Sequence, residues 1–319
     1  MRNAFLNTLY ELALKDPRIN LIVGDLGFSV VERFAEHLPD QFLNAGVAEQ
    51  NMTGIAAGMA LSGKTVFTYS IANFPTLRCL EQIRNDVCYH KAKVRIVSVG
   101  AGLAYGSLGA SHQATEDIAV MRVLPELTVI VPADPLETAL ATKALADFPG
   151  PCYLRLGKAG EAVLHTAPIE FKIGRAVTVR KGGDICLISA GSMLKPCLEA
   201  AEKLEKDGIS VRLLSMHTIK PLDTEAVLKA AYETKGIVTV EEHSLTGGLG
   251  GAVAEVLAGE RAPRAALRRI GLDNSFARKV GSQEYLRREY GLSAVDIIAR
   301  AKELLAPGGG ARKTGSARR

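Results

Sequence analysis

Short runs rich in β-branched and apolar residues alternate with longer stretches of helical period almost from end to end of this 319-residue chain. That alternation restricts the fold strongly. Parallel neighbours in a sheet need a connection long enough to hold a helix, so the pattern predicts an α/β protein with mostly parallel sheets and crossover helices. Strands are expected at Leu21-Val23, Thr65-Tyr69, Val94-Val99, Thr128-Val131 and Tyr153-Leu156, then at Ile185-Ser189, Ser210-Leu214, Ile237-Val240 and Leu267-Ile270. Helices are expected near Asn3-Leu14, Ala48-Leu61, Leu77-Tyr89, Glu116-Leu124, Pro135-Ala146, Leu194-Lys206, Thr224-Ala231, Gly250-Leu257 and Ala294-Leu305. Asp134-Pro135 is a helix start, an N-cap acid followed by proline at the first helical position.

With 47% hydrophobic residues the chain can bury two cores, and its length suits two domains. Periodicity collapses between Gly157 and Phe171, which places a linker at 161–173 between a first domain at 1–160 and a second at 174–305. Residues 306–319 are glycine-rich and basic and read as a disordered tail. Four of the five excess positive charges, Arg312, Lys313, Arg318 and Arg319, lie in that tail. A nucleic-acid surface needs a basic patch interleaved with stacking aromatics, and 5% aromatic residues without tryptophan do not supply one. No apolar run approaches a bilayer span, and the start of the chain (Ala4, Leu6, Leu9, Leu12, Ala13, Leu14) has helical period rather than the form of a signal peptide. Cys79, Cys88, Cys152, Cys186 and Cys197 are odd in number and lack Cys-x-x-Cys spacing. They read as reduced core residues of a cytoplasmic protein.

Two segments carry candidate chemistry. Gly46-Val47-Ala48-Glu49-Gln50-Asn51-Met52-Thr53-Gly54 brings one carboxylate to the entrance of a small, apolar helix. Glu49 is either a partner of the helix dipole or a chemical tool. In Gly100-Ala101-Gly102-Leu103-Ala104-Tyr105-Gly106-Ser107-Leu108-Gly109-Ala110-Ser111-His112-Gln113, glycines directly after a strand let backbone approach a ligand, and His112 is a side chain suited to proton transfer near neutrality. The Gly247-Gly248-Leu249-Gly250-Gly251 run lacks the spacing and the distal acid of a dinucleotide site.

Together these segments resemble the pyrimidine-binding half of transketolases, thiamine-diphosphate enzymes that move two-carbon ketol units, and the later Asp184–Ser192, Lys220–Asp223 and Glu241–Gly251 segments resemble that family's C-terminal domain. The resemblance implies a pyrimidine-binding fold followed by a transketolase C-terminal domain that serves assembly, with His243 structural. It implies that Glu49 bonds the aminopyrimidine and lets the cofactor deprotonate its own thiazolium carbon, while His112 assists proton transfer at the substrate oxygen. Asp25 is implied to lie near the cofactor across a subunit interface, and Ile71, Phe74 and Leu77 to wall the pyrimidine. Ile71 and Leu77 stand where the family commonly has aromatics. Arg2, Ser29 and Arg155 match positions that hold a sugar phosphate. The polar Glu81–Asp86 stretch is either a solvated helix face or, as the resemblance implies, a region buried near the family's dimer axis.

The departures bear on the substrate. Gly100 replaces a usual histidine, and Leu108 an aspartate that reads the donor's hydroxyl configuration. An unmatched buried hydroxyl costs about 1–3 kcal/mol, so a deoxygenated or modified sugar is favoured over an ordinary ketose phosphate. The resemblance supplies no Gly-Asp-Gly metal motif; Gly24-Asp25-Leu26 has the wrong third residue. The expectation is therefore one subunit of a split enzyme. Its partner, an N-terminal diphosphate-binding subunit, holds most of the thiamine diphosphate and Mg2+ site, and two copies of each chain form a heterotetramer. Acyl or hydroxyethyl transfer from a 2-oxo acid and a noncatalytic role in assembly are the alternatives.

Overall fold

The computed structural model describes residues 1–261 and 265–306. Seven strands form the first sheet: β1 (Ile19–Val23), β2 (Phe42–Asn44), β3 (Thr65–Ile71), β4 (Val94–Val99), β5 (Thr128–Ile130), β6 (Cys152–Leu156) and, from far along the chain, β10 (Thr218–Lys220), in the order β10-β5-β6-β4-β3-β1-β2. The second sheet holds β7 (Val177–Arg180), β8 (Ile185–Ser189), β9 (Val211–Ser215), β11 (Gly236–Ser244) and β12 (Ala266–Leu272), in the order β12-β11-β8-β9-β7. All pairs are parallel except β10 on β5 and β7 on β9. The α/β class with two mostly parallel sheets is as expected.

Strands β1, β4, β6 and β8 are buried along their whole length, which is why they read as unbroken apolar runs rather than alternating ones. On one face of the first sheet, Phe5 and Leu9 from helix Arg2–Ala13 and Ala141 and Leu145 from helix Pro135–Ala146 pack over Val97 and Leu154. On the other face, Met52 and Ala56 from helix Glu49–Leu61 join Ile83, Ile118 and Met121 over Ile22 and Ile96. That apolar cluster continues without a break through Ile219 into Cys186, Ile188, Leu214 and Val253 of the second half. All five cysteines are free and buried, and burial pushes the Cys79 and Cys88 thiols up to about 11.

The structure departs from the sequence reading in several elements. The expected single helix at Leu77-Tyr89 is instead a 3-10 turn (Leu77–Cys79), one α-turn (Leu80–Gln82) and a π-helical stretch (Ile83–Cys88) that turns Ile83, Val87 and Cys88 inward. Strands β2, β7 and β10 and helices Glu32–His37 and Gln283–Glu289 are additions to the elements that periodicity predicts. Apart from Ala306, the tail expected to be disordered lies outside the described residues.

The carboxyl ends of the central strands open on one edge of the first sheet, where β1 runs into Gly24-Asp25, β3 into Ala72-Asn73-Phe74, β4 into Gly100 and β6 into Gly157. In open α/β sheets this edge, where strand order reverses about β1, is where ligands bind.

Candidate active site

Glu49 is the first residue of helix Glu49–Leu61 and is 1% exposed. A carboxylate so buried is costly unless paired. Arg78 Nη1 donates to its Oε2 at 2.6 Å, while Oε1 has only the Ser70 hydroxyl at 3.4 Å. Gly24, at the end of β1, leaves room above the carboxylate: a Cβ there would lie 3.4 Å from Glu49 Cγ and 3.6 Å from Ser70 Oγ. Helix, β1 and β3 therefore meet at this one group.

The Arg78 guanidinium carbon lies 4.6 Å from the centre of the Phe74 ring, and that ring meets the His112 imidazole edge-on with centroids 5.3 Å apart. Glu49, Arg78, Phe74 and His112 thus form one continuous chain of contacts, although they come from three separate segments. His112 Nδ1 bonds the Ser111 hydroxyl at 3.0 Å. Beside it, the buried Nε2 of Gln113 and Oδ1 of Asn73 have no partner, although Asn73 Nδ2 donates to the Gln113 carbonyl at 2.6 Å. A flat ring bearing nitrogen donors and acceptors suits this arrangement: a buried carboxylate with one oxygen barely engaged, an aromatic face, and unsatisfied amide groups nearby. The residues present fit an aminopyrimidine.

The remaining candidates lie around this group. Asp25 is exposed at the end of β1, with a left-handed backbone (φ 54°), and accepts from Asn44 Nδ2 at 2.9 Å. Ser29 is also left-handed (φ 65°), and its amide donates to Glu32 at 2.6 Å. Ile71 ends β3, Leu77 begins the 3-10 turn that carries Arg78, and Leu108 is 54% exposed on the loop before His112. Arg2 opens the first helix close enough to Tyr69 and Tyr105 to favour their ionised forms, though burial dominates and pushes both phenols upward.

One of these expectations requires revision. Arg155, expected at a substrate phosphate, is 4% exposed and committed elsewhere: it donates to Asp117 at 2.7 and 3.1 Å, to the Ala114 carbonyl at 2.7 Å and to the Glu242 carbonyl at 3.1 Å. Burial opposes the Asp117 charge, yet Arg155 beside it holds that carboxyl below its usual range. Arg155 ties the two halves together and is held by this network rather than turned towards a ligand. Gly100, at φ 100°, is needed because the Tyr105 ring fills the space where its side chain would stand.

Arg78 belongs to this cluster by its contacts, although sequence reasoning did not single it out. His243 is buried, donates from Nδ1 to the Ser244 carbonyl at 2.7 Å and accepts from the Ala119 amide at 3.3 Å. That pattern defines a neutral ring, and burial lowers its pKa to about 4. Among the described residues, no group of three His, Cys, Asp or Glu side chains is placed to hold a metal ion.

The sequence profiles of the transketolase pyrimidine binding domain and of the transketolase C-terminal domain match residues 1–160 and 174–297. The chain belongs to the transketolase family. It is 40% identical over 306 residues to a subunit of the apulose-4-phosphate transketolase of Phocaeicola vulgatus, covering 95% of this chain and 97% of that one. It is 38% identical over 305 residues to the 6-deoxy-6-sulfo-D-fructose transketolase subunit SqwH of a Clostridium species, covering 95% and 94%. A solved structure of a split gene transketolase, an inactive beta4 tetramer, superposes with a TM-score of 0.88 at 40% identity, covering 95% of this chain and 97% of that one. These transketolase relatives are matched through both halves, so the expected fold and family stand.

Proposed function

We propose that this chain is the pyrimidine-binding subunit of a split, thiamine-diphosphate-dependent transketolase that transfers a two-carbon ketol unit between sugars, at least one of them modified. The observation that carries the reading is Glu49: a buried carboxylate at the ligand-binding edge of the sheet, joined through Arg78 and Phe74 to His112. When bound, thiamine diphosphate supplies the carbon nucleophile that carries the ketol unit. Glu49 would hold the aminopyrimidine by a short hydrogen bond and share a proton with it, and Phe74, Ile71 and Leu77 would cover the ring and exclude water. His112 would hold or move a proton at the substrate oxygen. Asp25 would complete the cofactor seat against a neighbouring subunit. Arg2 and Ser29 would meet the acidic end of the substrate, and Gly100 and Leu108 shape its hydroxyl-bearing stretch.

Metal ligands come, on this reading, from a partner subunit that binds the diphosphate and Mg2+, within a heterotetramer. A relative that forms an inactive tetramer of its beta chain supports dependence on a second chain. Relatives named for apulose phosphate and for a deoxy-sulfo-fructose support a modified sugar, in keeping with Leu108 in place of an acid. The domains are taken as 1–160 and 174–305. Buried free cysteines and the lack, among the described residues, of a helix long and apolar enough to cross a membrane support a cytoplasmic location. Replacing Glu49→Gln keeps the shape of the side chain and removes its charge. Turnover of ketose donor by the assembled enzyme should fall at least about 100-fold, with assembly by light scattering unchanged, as for loss of a general acid-base group. Turnover at the wild-type rate would rule the reading out.

A further inference from the structure

Arg78 makes both of the contacts that a bound aminopyrimidine would need here. Its guanidinium is 2.6 Å from Glu49 Oε2 and 4.6 Å from the Phe74 ring centre. A planar group that offers N–H donors at its edge and a face for stacking is recognised by the same features as a flat amino-substituted ring. A ring laid on the same Phe74 face and bonded to the same carboxylate would have to displace the guanidinium. Their freedom to move is unequal. Glu49 is held in a helix and 1% exposed, whereas the Arg78 side chain is 45% exposed and hangs from a short 3-10 turn. Swinging Arg78 into water needs only side-chain rotation, and its own solvation compensates for the lost pair.

We propose that Arg78 is a positioning residue that sits in the cofactor's seat in the cofactor-free subunit, keeping the Glu49 carboxylate paired and oriented, and withdraws when thiamine diphosphate enters. This rests on the reading of Glu49 and Phe74 given above. The buried carboxylate is then never left alone: one partner is exchanged for another. The exchange lowers apparent cofactor affinity by the fraction of subunits in which the seat is open. If Arg78 is seated in about nine subunits of ten, removing it tightens binding about tenfold.

The test is the apparent dissociation constant of thiamine diphosphate with Mg2+, read from the ligand-dependent melting temperature of the complex assembled from this chain and its diphosphate-binding partner. Arg78→Met and Arg78→Gln are compared with wild type, the second variant serving if the first folds poorly. The expected result is about tenfold tighter binding in the variants, a gain that a merely structural arginine does not produce. Equal or weaker binding in the variant complexes overturns the proposal alone, whereas no cofactor-dependent shift in any of the three complexes overturns the functional reading and the proposal with it. Glu49→Gln added to Arg78→Met should weaken binding again. If instead the gain persists there, Arg78 remains the occupant of the seat and it is the role given to Glu49 that fails.

Discussion

Glu49, Asp117 and Glu242 are buried carboxylates, and each meets a guanidinium from a distant stretch of chain: Arg78, Arg155 and Arg287. A buried pair adds little net stability, but removing one partner strands the other charge. Arg155→Met should therefore destabilise the protein by about 3–5 kcal/mol in urea unfolding, and adding Asp117→Leu should restore a large part of that loss. A variant as stable as wild type would show that Asp117 does not depend on Arg155. These pairings also mark the limit of what sequence reveals about the site. Glu49 and His112 stand out because of their immediate neighbours, a carboxylate at a helix entrance and a histidine in a glycine loop, whereas Phe74 enters only through the family resemblance. Arg78 does not, because its partner lies 29 positions away and no helical spacing links the two. Arg155 carries the opposite error: an arginine ending a strand looks the same in sequence whether it faces a ligand or a buried aspartate.

Elements within unbroken apolar runs are readable, even three-residue β5, and short ones outside such runs are not. Strands β2 and β10 have three residues each, too few for alternation to show, and both owe their conformation to a neighbouring strand. The start of helix Pro135–Ala146 is legible in Asp134-Pro135, yet its second role is not. Asp134 caps the helix by accepting from the Glu137 amide at 2.8 Å, and its other oxygen accepts from the Leu164 amide at 2.7 Å. The segment expected as a free linker is thereby fastened to the first sheet's helix layer, with His165 bonded to buried Glu137 at 2.8 Å. Asp134→Ala should cost more than the roughly 0.5–2 kcal/mol of an ordinary cap, because it also leaves the Leu164 amide unpaired. A loss within the ordinary range, measured by chemical denaturation, would mean that the linker contact adds nothing.

At the scale of the whole molecule, the two halves share one apolar core and are joined by hydrogen bonds across the joint. Ile22 and Ile188 belong to the same cluster, and Glu242 of the second half bonds the Leu103 amide of the first at 2.7 Å. The full chain should unfold in a single transition, with far-ultraviolet circular dichroism and tyrosine fluorescence changing together. Two separated transitions would show the halves to be energetically independent. Division into two domains is legible from the loss of periodicity after Gly157, but their interlock is not, since it depends on contacts such as that between Leu103 and Glu242, 139 positions apart.

Strand β10 lies beyond the linker in sequence, yet it closes the outer edge of the first sheet, pairing Thr218 with Ile130 and Lys220 with Val129. A recombination event at the linker would not exchange a module. A chimera joined there would place a foreign edge strand against a native one, and a chain ending there would leave the main-chain groups of β5 open to another molecule. The folding of β5 and β10 is thus tied together across the joint, and gene fusion or fission at this point carries a constraint that the outline of the two domains conceals.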